Sequence, residues 1–504
     1  MKKKIAYLTA TALACVTIFG AASCGNKGGD SVADLEIYFC QSGAGTEYFE
    51  KIVDAFKVKN PDINVVEPLI VNSDYNYLKT ALESGASGNS ADLMFGYLPK
   101  FRYFQNMLEP IDDVLDSTLQ GESMTIREKL GGVMKDFAVD GVNYYLPSTV
   151  SAGGIVYNKT LIDQTLGTDW NIPRTTTELA KLAADLKSEG VTPFIHNSNG
   201  GYWSYSLDVW WAQYSTVEEY NNFWQAKSGD KQPSLEVFKQ EGRLKALEVL
   251  ETLISPEGYV VDGSNSWTHT LAQTQFVNNR GAIMPNGGWL QNEIASNSAA
   301  QGKEFLMMKI PVISSLKDVL GIGESTLAKL VDYVDGVSVE APEFNSSKGL
   351  TNEQVLQRVR EARGLVATSS YELGAFIPNY ATAKEAAKRF MKFFYSDEAL
   401  QIAVDTLKSQ PVAKFSDGRE IDMSSWNSFM KSHFAYQQSG KYLFKKFSYE
   451  LFYKTDLTES FVSKPELSLS AQGSAKKTAK EFFDDDFNDI SRRWEQLLSI
   501  AGLK

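Results

Sequence analysis

The sequence predicts an α/β fold with a parallel sheet, and three observations support this. Segments rich in β-branched and aromatic residues alternate with segments whose apolar residues recur every three or four positions. That alternation is typical of strand–helix–strand units in a parallel sheet. The pattern begins again after Pro147, and a chain of 504 residues is too long for one hydrophobic core. We therefore expect two or three domains.

The first 23 residues have the composition of a secretion signal. Lys2, Lys3 and Lys4 precede an apolar run that is too short for a permanent membrane span, and small residues follow it. Cys24 comes directly after them, which resembles the lipobox of bacterial lipoproteins; the alternative is an ordinary signal peptide with a chance cysteine. We expect a lipid on Cys24 and a flexible tether over 24–33, which ties an extracytoplasmic protein to the bacterial cell membrane.

Charge and composition exclude several classes of partner. The formal net charge is -12, and removal of the three signal lysines leaves the chain more acidic. An acidic surface repels phosphate backbones, so no nucleic-acid partner is expected. The histidines lack metal-ligand spacing, and neither a phosphate loop nor a nucleophile elbow is found, so we expect no metal and no cofactor. Cys40 stands alone in the mature chain, and we expect a buried thiol.

The first α/β segment predicts one rim of a binding site. A strand over Leu35–Cys40, a helix after Thr46 and a strand over Ile63–Val66 form a strand–helix–strand unit. Helices over 74–84 and 101–108 flank a further strand over 91–95. Ligands lie beyond the carboxyl ends of strands in such sheets. The rim residues that follow these strands are Gln41, Ser42, Tyr97 and Lys100.

The second segment is predicted from similar patterns. A hairpin turn at Asp140-Gly141 precedes a strand over 154–159, and Thr175 caps a helix that ends at Ser188. Val191–Ile195 is predicted as a strand, and Met307–Val312 as a strand returning to the first sheet. Helices are expected over 202–214, 217–224, 242–253, 325–333, 352–362, 382–395 and about 476–500, with 314–364 an insertion.

The stretch Gln275–Leu290 is the centre of the functional interpretation. It predicts a helix around Phe276, a strand over Ala282–Met284, and a turn over Pro285–Gly288 that presents Trp289. By itself this pattern favours a core position for the tryptophan.

Six segments in the same order resemble the family 1 (carbohydrate-type) extracellular solute-binding proteins of bacterial ABC importers. They are LEIYFCQSGAGTEYFEKIVDAFKVKNPDINV, ADLMFGYLPKFRYFQNMLEPIDDVL, DGVNYYLPSTVSAGGIVYNKTLI, TTTELAKLAADLKSEGVTPFI, FVNNRGAIMPNGGWL and AKEAAKRFMKFFYSDEALQIAVDTLKSQP. The insertion at 314–364 and the extended tail depart from the family pattern.

The resemblance implies a two-lobed periplasmic-binding-protein-like fold (type II) with the ligand in the cleft between the lobes. Lobe 1 is expected to comprise 34–149 and 309–396, and lobe 2 to comprise 150–308 and 397–504. The implied function is capture of a sugar or oligosaccharide by lobe closure and delivery to the transmembrane subunits of an ABC permease. We expect a monomer that is not an enzyme.

Aromatic planes and neutral polar groups suit the apolar faces and hydroxyl rim of a pyranose. Besides the rim residues, the candidates are Ser151, Asn199, Tyr202, Trp203, Asn286 and Trp289. The loop before Tyr202 is polar and contains glycine, while Asn286 and Trp289 match the family's Asn-Gly-aromatic turn. With this context Trp289 is predicted to contact the ligand. Two alternatives stay open: a surface glycan hydrolase with a carboxylate pair, and a binding protein for a non-sugar ligand such as a peptide.

Overall fold

The computed structural model describes residues 33–72, 75–87, 90–98, 101–198, 202–229, 231–368, 373–443, 450–457, 464–473 and 476–504. The signal peptide, Cys24 and the tether up to residue 32 lie outside these ranges, as do Lys100 and Asn199. The strands are β1 Ala33–Leu35, β2 Ile37–Gln41, β3 Ile63–Val65, β4 Leu69–Asn72, β5 Leu93–Tyr97, β6 Leu146–Pro147, β7 Ala152–Asn158, β8 Ile283–Gly287, β9 Phe305–Met308, β10 Leu365–Thr368, β11 Leu373–Phe376 and β12 Lys441–Leu443.

Helices surround the strands. They are α1 Glu47–Lys59, α2 Tyr75–Ser84, α3 Phe101–Phe104, α4 Asp112–Leu115, α5 Ile126–Leu130, α6 Met134–Phe137, α7 Lys159–Leu166, α8 Thr176–Ser188, α9 Trp203–Tyr214, α10 Val217–Trp224, α11 Glu241–Ile254, α12 His269–Val277, α13 Leu290–Ile294, α14 Leu316–Leu320, α15 Glu324–Val334, α16 Asn352–Arg363, α17 Lys384–Phe394, α18 Asp397–Leu407, α19 Ser428–Gln437, α20 Glu450–Tyr453, α21 Pro465–Leu469 and α22 Ala479–Ala501. Within the described ranges no helix is both long and apolar enough to cross a membrane.

Lobe 1 is built on a five-stranded sheet in the order β4-β2-β5-β11-β6. Strand β2 pairs in parallel with β4 and β5, which confirms a parallel sheet, whereas β3, the second strand of the predicted unit, pairs in parallel with β1 in a separate two-stranded sheet. The apolar face of α1 is buried, and Cys40 is 4% exposed, so its thiol is buried as expected. The antiparallel strand β11 comes from much later in the chain, which joins distant segments into one lobe.

Lobe 2 is built on a second sheet in the order β12-β10-β7-β8, with β9 also paired to β7. Every residue of β7 is buried, because β8, β9 and β10 pair with it and helices cover it. The predicted helix after Thr175 is present, and the Thr175 hydroxyl accepts a hydrogen bond from Glu178 N. Lobe 2 thus places the glycines of β7 beside the end of β8.

The prediction that Met307–Val312 returns to the first sheet was wrong. Phe305–Met308 pairs with β7, and Val312 bridges Thr175, so the chain stays on lobe 2. The following helices pack there too: Arg358 donates to the carbonyl oxygen of Gln213 at the end of α9. An apolar run predicts a buried strand, but it does not determine which of two sheets receives it.

The contacts also depart from the predicted lobe boundary at residue 397. Helix α18 packs against α1 of lobe 1, and Lys129 of α5 forms an ion pair with Asp397. Helix α19 then packs on β9 of lobe 2. The chain accordingly returns to lobe 2 after α18 and not before it.

Two local predictions were also wrong. Val191–Ile195 is not a strand; Phe194 makes only isolated bridges to Val260 and Ile283, and Pro193 has no N–H to donate to a ladder. The predicted turn over Pro285–Gly288 is largely strand, because β8 continues through Gly287 opposite β7. The predicted hairpin turn at Asp140-Gly141 is present, with positive φ at both residues.

Candidate functional site

A cavity of about 110 Å³ lies where the two lobes meet, and we call it the interlobe cavity. Lobe 1 contributes the loop after β2, the start of β11 and the end of α18, while lobe 2 contributes the residues after β8, one residue of α13 and two residues within α19. The segment that leads from β6 to β7 completes the wall. The lining residues are Ser42, Gly43, Ala44, Thr149, Val150, Ser151, Gly288, Trp289, Asn292, Leu373, Leu407, Ser409, Met430 and His433.

The lining of the interlobe cavity is neutral. Its polar groups are hydroxyls, an amide and an imidazole, and its apolar groups are aliphatic side chains and one indole. Neither a carboxylate nor a lysine or arginine side chain is among these described lining residues. Such a surface suits an uncharged ligand with both apolar faces and hydroxyls, since a charged group would lose hydration without gaining a partner.

Trp289 forms the lobe 2 side of this cavity. It follows β8, occupies the N-cap position of α13 and is partly exposed. Its ring packs edge-to-face against Tyr202 at 5.6 Å and Tyr205 at 6.0 Å between centroids. On its lobe 1 side, an ideal Cβ built on Gly43 would lie 2.7 Å from Trp289 Cβ. The indole is therefore held by neighbouring rings on one side and approached by the lobe 1 backbone on the other.

Two paired glycines make room for the aromatic rings. Gly153 of β7 and Gly287 of β8 are Cα partners in the sheet. A Cβ on Gly153 would lie 2.3 Å from Tyr205 Cδ2, and one on Gly287 would lie 2.2 Å from the Trp289 ring. Only glycine permits this close approach of rings to backbone.

The electrostatic surroundings keep the Tyr202 hydroxyl protonated. Burial and the nearby Glu293 carboxylate raise the pKa of Tyr202 to about 12, although a hydrogen bond with Trp289 opposes part of the rise. Burial also raises the pKa of Glu293, against a hydrogen bond from Gln273 and the charge of His269. At neutral pH the phenol can therefore donate a hydrogen bond.

His433 lies in the wall and is 1% exposed. Its Nε2 accepts a hydrogen bond from the backbone N–H of Ala152 at 3.2 Å, and its ring lies against Gly288. Burial lowers the pKa of His433 to about 4, against the smaller effect of the Ala152 hydrogen bond. The imidazole is therefore neutral at pH 7.

The predicted site residues have different positions. Ser42, Ser151 and Trp289 line the cavity, and Tyr202 packs directly behind Trp289. Gln41 is exposed at the end of β2, while Tyr97 is partly buried at the end of β5, opposite Leu373 of the cavity wall. Gln41 and Tyr97 thus adjoin lining residues in the chain or in the sheet, but neither is itself among the lining residues.

Two predicted residues are buried away from the interlobe cavity. Trp203 is fully buried in lobe 2, where its Nε1–H donates to His196 Nδ1 at 3.3 Å. Asn286 is also fully buried, and its Oδ1 accepts from the Gly287 N–H at 2.8 Å. Trp203 points into the core because it lies on the face of α9 that packs against Phe194. Asn286 is buried because it lies within β8, paired with β7, and not on an exposed turn.

Sequence reasoning missed Tyr205, Asn292 and His433. The spacing of Tyr202 and Tyr205 on α9 was a usable signal, since residues three apart lie on one helix face. His433 gave no such signal, because its helix reaches the cavity only through the long-range packing of α19 on β7 and β9. Across the described ranges, no group of three or more His, Cys, Asp or Glu side chains could hold a metal ion.

Comparisons with known proteins agree with this geometry. The family described as bacterial extracellular solute-binding protein matches residues 42–401. The diacetylchitobiose binding protein NgcE of Streptomyces coelicolor is 24% identical over 229 residues, which cover 44% of this chain and 44% of NgcE. A multiple sugar-binding protein of Streptococcus mutans is 25% identical over 262 residues, covering 50% of this chain and 56% of that protein. The chain thus spans about half the length of these relatives.

Among solved structures, the apo form of RafE from Streptococcus pneumoniae superposes with a TM-score of 0.60 at 18% identity. The match covers 92% of this chain and 98% of RafE, which shows a shared fold. The two-lobed type II fold that the sequence implied is therefore confirmed. The family match extends over most of the chain, and the protein belongs to the bacterial extracellular solute-binding proteins.

Proposed function

We propose that this protein is a non-catalytic binding lipoprotein that captures a sugar or oligosaccharide and delivers it to an ABC permease. The observation that carries the proposal is the position of Trp289 in a neutral cavity between two lobes. A pyranose presents apolar C–H faces to an aromatic plane and hydroxyls to neutral hydrogen-bonding groups. Relatives described as binding diacetylchitobiose and multiple sugars support the same ligand class.

Lobe closure explains how such a ligand would be held. The close approach of Gly43 to Trp289 is a contact between the lobes, and it leaves a cavity of only about 110 Å³. Opening of the lobes would admit a ligand, and closure would then surround it and remove water. Because a ligand shifts an equilibrium only by binding one state better, contacts from both lobes favour the closed form.

A thermal-shift screen of the purified mature chain tests the ligand class. Diacetylchitobiose and a panel of neutral mono- to tetrasaccharides should raise the melting temperature, since a ligand that binds only the folded state stabilises it. Amino acids, short peptides and sugar phosphates serve as comparison ligands. A shift with peptides and none with saccharides would contradict the proposal and favour the non-sugar alternative.

The hydrolase alternative makes a different prediction. Glycoside hydrolases need two carboxyl groups roughly 5–9.5 Å apart on either side of the bond they cleave. The described lining of the interlobe cavity offers no such pair, and Glu293 at its border is hydrogen-bonded by Gln273. We therefore infer a binding protein, and glycans recovered intact after long incubation would support it, whereas cleavage products would favour an enzyme.

The lipid anchor, the monomeric state and the permease contact belong to the same proposal. Intact mass of the membrane-extracted protein should fit a diacylated Cys24 at the N-terminus, and Cys24→Ser should release the protein from membranes. Size-exclusion chromatography with light scattering should give the mass of one chain. A wild-type protein that is not held at membranes would contradict the lipid anchor, and a stable dimer would contradict the monomeric state. Neither result would bear on the proposed class of ligand.

A further inference from the structure

His433 differs from the other lining residues in combining three features. It is 1% exposed, it forms part of the wall of the interlobe cavity, and its Nδ1 has no hydrogen-bond partner within the described ranges. A buried polar atom without a partner is uncommon in folded proteins, so this nitrogen needs an explanation.

The hydrogen bond to Ala152 determines which nitrogen of His433 carries the proton. Nε2 accepts from the Ala152 N–H at 3.2 Å, so Nε2 has no proton of its own. A neutral imidazole carries one proton, which must then be on Nδ1. Burial holds the pKa of this ring at about 4, so the neutral form persists at pH 7. His433 thus offers one N–H donor, fixed in orientation by the backbone of β7.

Packing around the ring keeps that donor in place. The imidazole lies against Gly288, where an added Cβ would be 2.3 Å from His433 Cε1, and Gly288 is itself part of the wall. Met430, one helical turn earlier on α19, also lines the cavity. Gln437, one turn later, donates its amide N–H to the Val150 carbonyl oxygen, and its Oε1 has no hydrogen-bond partner among the described residues. This face of α19 therefore places neutral side chains against the segment between β6 and β7 that forms part of the cavity wall.

We propose that the Nδ1–H of His433 donates a hydrogen bond to an oxygen of the bound ligand and so makes closure of the lobes selective for ligands with an acceptor there. The inference rests on the proposed carbohydrate function and assigns a ligand contact to a helix outside the family's matched region, which ends at residue 401. A hydroxyl, ring or acetamido oxygen would pair the donor. A closed cleft without that oxygen leaves the donor buried and unpaired, which disfavours closure.

Two isosteric variants separate the ligand contact from the fold contact. In His433→Gln the amide oxygen can occupy the position of Nε2 and keep the Ala152 hydrogen bond, while the donor at Nδ1 is lost. In His433→Asn the amide N–H can occupy the position of Nδ1, while the Ala152 hydrogen bond is lost. Buried His196 is the matched control, because both of its nitrogens have partners, in Asn265 and Trp203, within lobe 2.

Titration calorimetry of wild type and variants with diacetylchitobiose, and with the saccharide that most raises the wild-type melting temperature, tests the inference. His433→Gln should weaken affinity about tenfold with a melting temperature near wild type. His433→Asn should have a lower melting temperature than wild type but a higher saccharide affinity than His433→Gln. His196→Gln should change the melting temperature without changing the affinity. If His433→Gln binds saccharide with wild-type affinity, the inference about His433 is overturned but the proposed function is not. If the wild-type protein binds no saccharide, both the proposed function and the inference are overturned.

Discussion

Gly43 of lobe 1 and Trp289 of lobe 2 approach so closely that a Cβ on the glycine would lie 2.7 Å from the tryptophan Cβ. The same site would lie 3.1 Å from a carboxylate oxygen of Glu293. Gly43 does not have the positive φ angle that favours glycine, so the backbone conformation does not require glycine here. The close contact between the lobes does require it. This contact relates the lobe 1 loop after β2 directly to the aromatic wall of the interlobe cavity.

Gly43→Ala should hinder closure. The added methyl group would meet Trp289, so the closed state becomes less populated and ligand affinity should fall about tenfold. Titration calorimetry gives the affinity, and small-angle scattering with saturating saccharide should show a larger radius of gyration than wild type. Gly132→Ala is the control, because an ideal Cβ there has no atom within 4 Å. Equal affinities for both variants would argue against closure at this contact.

Trp289→Ala and Trp203→Phe should have opposite effects. Trp289 lines the cavity, so its truncation should reduce saccharide affinity at least tenfold and leave the lobes folded. Trp203 is fully buried and bonded to His196, so its replacement should lower the melting temperature by several degrees with little change in affinity. Calorimetry and thermal melts of both variants check this. Loss of affinity only in the Trp203 variant would reverse our assignment.

Lys129 should be essential for the stability of lobe 1. Its side chain is fully buried and forms ion pairs with Glu122 at 2.6 Å and Asp397 at 2.8 Å. Lys129→Met removes the buried cation that the two carboxylates share and leaves Asp397 only with Arg419 at 3.8 Å, which should cost about 3–5 kcal/mol of unfolding free energy. Urea denaturation measures this cost, with Lys431→Met as an exposed control. A loss near zero would mean that water replaces the amine without penalty.

Glu466 should make stability depend on pH. Burial raises the pKa of this carboxyl to about 7, against the opposing influence of Lys464 and of its own backbone N–H. The folded state therefore holds a proton that the unfolded state releases near pH 4.5, so this stabilising contribution is complete below pH 4.5 and is lost as pH rises through about 7.

Glu466→Gln should remove that contribution. The unfolding free energy of this variant relative to wild type should be higher at pH 8 than at pH 5 by roughly 2.5 kcal/mol, and its relative melting temperature should be higher as well. His196 and His433 also make stability depend on pH, because burial lowers the pKa of each to about 4 and their stabilising contribution is lost as pH falls from 6.5. This effect is the same in wild type and variant, so it cancels in the comparison. A difference independent of pH would show that Glu466 is ionised in the fold.

The sequence predicted the elements better than their arrangement. Periodicity located α1, α8 and the terminal helix α22, because local spacing and caps determine a helix. It could not assign β9 to a sheet, since pairing depends on the alignment with β7. Pro-Asn-Gly-Gly looked like a turn, yet the neighbouring strand keeps the first three of these residues extended.

The candidate site was predicted in part. Ser42 and Trp289 follow strands, whose carboxyl ends are where ligands bind in such sheets, and Ser151 lies directly before β7. Trp203 and Asn286 have suitable chemistry, but burial is decided by helix orientation and strand pairing, which composition does not reveal. His433 reaches the wall through tertiary packing alone, so one sequence without its structure could not identify it.

The most direct test of the central claim is calorimetric titration of the purified mature chain with the best neutral saccharide, followed by mass spectrometry of the recovered saccharide. We predict one binding site per chain, intact saccharide after prolonged incubation, and a loss of affinity in Trp289→Ala. Cleaved saccharide, or binding that Trp289→Ala leaves unchanged, would contradict a non-catalytic carbohydrate site in the interlobe cavity.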